Sequence, residues 1–137
     1  MVPAEYIVGQ PPERQQLLSD IHAIIIAGDK TVTPMVEPMM GKEMILYEER
    51  SFMKYGLAST KKYMSLHLLP MYMAPKIYDY YKPILSQANF QKGCINFSSA
   101  AEMPLNIVKQ LISDCALIDV LKIRNDYLEA KKLAKKK

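Results

Sequence analysis

Residues 62–69 read Lys62-Tyr63-Met64-Ser65-Leu66-His67-Leu68-Leu69. Met64, Leu66 and Leu68 alternate with Tyr63, Ser65 and His67. Successive side chains of a strand point to opposite faces. A period of two therefore marks a strand with one buried face and one more polar face. Just upstream, residues 51–58 and 43–48 also read as strands. The links between them are short, which favours an antiparallel meander. Pro34 and Pro38 make the preceding stretch a loop or an edge strand, because proline cannot donate to a ladder.

Helical spacing brackets these strands. After Pro11-Pro12, Leu17, Leu18, Ile21, Ile24 and Ile25 recur on one helix face, and Gly28 closes the run. Residues 74–85 read as a second helix, with Ile77, Tyr78, Tyr81 and Leu85 near one side and Pro83 placed to end or kink it. Lys92-Gly93 opens a short strand at 94–97. Pro104 opens a helix whose Val108, Leu111, Ile112 and Cys115 face one way, and a last helical stretch starts near Leu117. The 137 residues make one α+β domain: an antiparallel sheet with the N- and C-terminal helices packed on one face.

Charge narrows the class of partner. The chain carries a formal +4 with 18 basic and 14 acidic residues. Five of the lysines lie in residues 131–137. Without them 13 basic residues face 14 acidic ones, so the body over 1–130 is near neutral. The expected division is a folded domain at 1–130 and a basic, disordered tail at 131–137. Nucleic-acid binding is not expected, since a footprint needs cations spread over a folded face. The longest strictly apolar run is 24–27, far short of a membrane span, and the start lacks a signal-peptide pattern, so a cytoplasmic location is expected. Cys94 and Cys115 read as reduced, buried thiols.

The sequence holds no phosphate loop, nucleophile elbow or paired-histidine metal motif, and no enzymatic activity is expected. His22 reads as a half-buried residue on a helix flank. Cys94 would make a nucleophile with His67 only if the two met in space, and a buried strand cysteine is the better reading. Met35, Met39, Met40, Met44, Met53, Met64, Met71 and Met73 crowd the middle third, interleaved with tyrosines. Such a set either fills a core that lacks tryptophan or forms an adaptable binding surface. If it forms a groove, Tyr47, Tyr63 and His67 are the candidate ligand-binding residues, sharing the open sheet face.

Three stretches together resemble a known family. Residues 92–112, KGCINFSSAAEMPLNIVKQLI, look like the closing motif of the YdhG-like proteins, a domain-of-unknown-function family. PPERQQLLSDIHAII resembles that family's opening helix and KKYMSLHLLP its central strand. The likeness runs from about Tyr6 to Ile118. It implies a frataxin-like fold and, for some members, an intracellular bacterial iron chaperone that serves iron–sulfur or haem assembly proteins. Residues 33–44, TPMVEPMMGKEM, depart from the family's Tyr-Gly-x-Pro-like segment. Loosely held Fe(II) wants exposed carboxylates. The candidates are Glu13 and Asp20, seven apart on one helix face, with Glu43 and Glu48 near the first strand. Read without the resemblance, these are solvated surface carboxylates. The second functional reading is a protein-interaction or nucleic-acid-associated module that uses the basic tail.

Overall fold

The computed structural model describes residues 1–39 and 41–135. A short helix α1 (Pro3–Val8) precedes the long α2 (Pro12–Gly28). Four strands follow: β1 (Thr33–Met39), β2 (Lys42–Glu49), β3 (Phe52–Ser59) and β4 (Met64–Leu68). Helices α3 (Leu69–Met73) and α4 (Pro75–Ile84) lead to β5 (Asn89–Phe90) and β6 (Cys94–Phe97). A 3-10 turn at Ala100–Glu102, α5 (Leu105–Ala116) and α6 (Val120–Lys135) complete the chain. The strands lie in the order β1-β2-β3-β4-β6-β5 and every pairing is antiparallel.

The 33–39 stretch is an edge strand, where its prolines cost no central ladder bond. The basic end differs from expectation. Helix α6 runs through Lys131, Lys132 and Lys135 in place of a disordered tail. Lys136 and Lys137 lie outside the described residues. Only Val120 of α6 is buried, so this helix adds little to the core.

One continuous core lies between the helices and one sheet face. Leu18, Ile21 and Ile25 of α2 and Val108, Leu111, Ile112 and Cys115 of α5 supply the helix side. Ile45, Tyr47, Tyr55, Leu57, Leu66, Leu68, Ile95 and Phe97 supply the sheet side. The strand parity read from Met64, Leu66 and Leu68 is the observed one. Gly28 permits the close approach of α2 to α5, since a Cβ there would stand 2.9 Å from Ile112 Cγ2.

A bulge breaks the alternation in β3. Tyr47 opposes Tyr55, whereas Glu48 opposes Met53, which leaves Lys54 as the extra residue. The bulge turns Lys54 towards the helices. Its side chain is 1% exposed, with the ammonium 2.9 Å from the Asp29 carboxylate at the end of α2 and 3.5 Å from that of Glu49. The Tyr55 hydroxyl donates to Asp29 at 2.7 Å, and the Thr31 N–H and hydroxyl donate to the other oxygen. Burial pushes the Asp29 carboxyl up, but the Lys54, Thr31 and Tyr55 contacts outweigh it and hold its pKa below the ordinary value.

Candidate functional site

Among the described residues, the apolar cluster on the other sheet face is built from strand residues. Met44, Leu46 and Ala58 are buried there, with Met35, Met39 and Met53 packed over them. All six come from β1, β2 and β3. The methionines divide by strand parity. Met64, Met71 and Met103 enter the helix-side core, and Met35, Met39, Met44 and Met53 lie on the open face. The methionine-rich stretch is thus divided between the helix-side core and the open face. Met40 lies outside the described residues. Glu37 opposes Met44 and Glu48 opposes Met53, so two carboxylates share this face with Lys42, which opposes Met39.

Towards β6 the same face becomes polar. Gly56, His67 and Cys94 lie side by side on β3, β4 and β6. Ser65 opposes Asn96, and its hydroxyl donates to the Asn96 side-chain Oδ1 at 2.6 Å. His67 and Cys94 are half-buried. Desolvation holds the imidazole pKa below its ordinary value and pushes the Cys94 thiol up.

The three expected ligand-binding residues do not come together. His67 is on the open face. Tyr63 stands just ahead of β4, on the rim of a cleft of about 660 Å³ that is also lined by Tyr6, Lys42, Glu43 and Lys62. Tyr47 corrects the expectation outright. It is fully buried on the helix side, where its hydroxyl shares a 2.7 Å hydrogen bond with His22 Nδ1. The cause lies in β2, where residues 44–47 are apolar on both faces, so alternation says nothing about which way Tyr47 points. His22 is half-buried on its helix flank as expected, and burial lowers its pKa.

The four carboxylates fall into three places. Glu13 and Asp20 line one shallow cleft on α2 with Gln16, which donates to Asp20 at 2.9 Å. Glu43 lies in the cleft beside Tyr63, and Glu48 is on the open face. Among the described residues, no three His, Cys, Asp or Glu side chains converge to hold a metal ion. None of the described helices is long and apolar enough to cross a membrane.

Sequence reading also missed members of the open face. Met44 carries no mark to separate it from a core methionine. Parity could have placed His67 and Cys94 on the open face, since each alternates with core positions in its own strand. Neither family models, curated proteins nor solved structures yield a match to this chain.

Proposed function

We propose that this protein is a small binding domain, a carrier or adaptor, whose working surface is the open face of the sheet. One observation carries the reading: among the described residues, a second apolar cluster is built from strand residues and capped by methionines. An antiparallel sheet that faces water commonly shows polar side chains there. Methionine is unbranched and soft, and it repacks around differently shaped apolar groups at small cost. The occupant we assign is an apolar, basic segment of a partner polypeptide. Glu37 and Glu48 flank the methionines against the single Lys42, which favours positive charge on the incoming chain. Iron carriage is the narrower role implied by the resemblance, and its four carboxylates are dispersed. The open face is the better-supported surface.

The test uses methionine-methyl labelling and an amphipathic peptide of leucine and lysine at helical spacing as probe. Binding through the open face moves the methyl signals of Met35, Met39, Met44 and Met53 and leaves those of Met64, Met71 and Met103 in place. No movement, or equal movement of both groups, overturns the reading.

A further inference from the structure

The 660 Å³ cleft at one end of the sheet gathers cations, hydroxyls and an aromatic ring. Its lining comes from α1, the start of β2 and the turn that joins β3 to β4. Hydrogen bonds brace its base. Arg14 of α2 donates to the Ser59 hydroxyl oxygen at 2.8 Å and to the Thr60 carbonyl. The Ser59 N–H donates to the Tyr6 hydroxyl oxygen at 2.9 Å, which ties α1 to the end of β3. The Thr60 N–H and hydroxyl close the turn by donating to the Tyr63 carbonyl at 2.8 Å and 2.9 Å. Lys61 and Lys62 form the tip of this pinned turn.

Two hydroxyl protons at the base are unspent. Tyr6 is only 5% exposed, and among the described residues no acceptor takes its hydroxyl proton. Burial raises its pKa, so that proton stays in place. Ser59 spends its oxygen on Arg14, and among the described residues its own proton also lacks an acceptor. Lys42, Lys61 and Lys62 line the same cleft against Glu43, so the cleft is locally positive on a body that is near neutral.

We propose that this cleft binds a nucleoside monophosphate, its phosphate held by Lys61, Lys62 and the Tyr6 and Ser59 hydroxyls and its base laid on Tyr63. Phosphate oxygens accept from hydroxyls and ammoniums together, and a charged acceptor strengthens each bond. Tyr63 is exposed and offers a ring face, on which any base can stack. Glu43 supplies an acceptor for ribose hydroxyls. The cleft volume lies within the range of about 300–1,000 Å³ usual for small-molecule sites. The site stands on its own lining and does not depend on peptide binding by the methionine cluster.

The test is titration of the whole protein with adenosine monophosphate, ribose phosphate and adenosine, followed by backbone amide NMR signals. Adenosine monophosphate moves the signals of residues 59–63 with one ligand per chain, and added salt weakens it. Ribose phosphate binds more weakly, and adenosine leaves the signals in place. Lys61→Ala with Lys62→Ala weakens the nucleotide by about tenfold or more, since each removes a charged donor. Both lysines are exposed, so the fold is not at stake. Tyr63→Leu weakens the nucleotide and leaves ribose phosphate binding unchanged. Lys131→Ala with Lys132→Ala, on α6, leaves nucleotide binding unchanged. Unmoved signals at millimolar nucleotide, adenosine or ribose phosphate binding as well as the nucleotide, or equal losses in the turn and α6 variants overturn the proposal. Peptide binding without nucleotide binding would sink this site alone.

Discussion

The two faces of one sheet reach burial by different means. On the helix side, Tyr47, Tyr55, Leu57 and Leu66 are fully buried in a core shared with α2, α3 and α5. That side also holds the buried Lys54–Asp29 ion pair. On the open side, Met44 and Leu46 are still only 6% exposed, yet what covers them is the side chains of their own strand neighbours. A covering of packed helices fixes shape, whereas a covering of methionines hides the face and leaves it able to repack. The contrast teaches that low exposure alone does not mark a core. What matters is whether the covering atoms belong to elements fixed elsewhere.

The largest expected effect attacks the rigid side. Lys54→Met removes the cation from Asp29 and leaves a buried carboxylate with only neutral donors from Thr31 and Tyr55. Removing one partner of a buried pair costs about 3–5 kcal/mol. Urea unfolding at pH 7 should show a loss of that size. The pH dependence sharpens the comparison. Asp29 has a folded pKa below its ordinary 3.8. Its stabilisation is complete above that value and is lost as pH falls through the lower, folded one. In the variant the desolvated carboxylate is relieved by protonation. The gap between the two proteins should therefore narrow as pH drops below about 4. A gap that stays constant from pH 7 to pH 3 would show that Lys54 acts by packing alone.

A matched pair of leucines gives the next effect. Leu66→Ala on the helix side should cost about 2–5 kcal/mol, because fixed helices cannot close the cavity. Leu46→Ala on the open side should cost about half as much, because Met35, Met39 and Met53 can settle into the space. Equal losses by denaturant titration would mean that the methionine layer is as rigid as the helices.

The legibility of this division in the sequence follows the same line. Helices α2 and α5 were readable because their apolar residues repeat at helical spacing against polar neighbours. Strand β4 was readable because its alternation is clean. The parity of β2 was hidden, since a run apolar on both faces carries no period, and Tyr47 went to the wrong side. The bulge was hidden as well. Strict alternation puts Lys54 with Gly56 and Ala58 on the open face. Only the slip between Tyr47 and Glu48 turns it inward. The turn feeding that slip, Arg50-Ser51, takes φ values of 50° and 69° without glycine or asparagine, so it sends no turn signal. The pairing of His67 with Cys94 depends on a long-range register that local pattern does not encode.

The smallest expected effect on stability separates packing from binding most cleanly. Met35→Leu and Met53→Leu preserve volume and apolarity at half-buried positions. Each should change the unfolding free energy by less than about 1 kcal/mol. Leucine branches at Cγ and lacks the soft sulfur, so it repacks less freely around a guest. Affinity for the leucine–lysine peptide should fall in the double variant while the denaturation midpoint barely moves. If the methionines merely seal the sheet, leucine seals it equally well, and both measurements should stay where they were. If the stability falls with the binding, the layer is a core in its own right, and the distinction between the two faces collapses. Binding lost at constant stability is the outcome that only an adaptable surface produces.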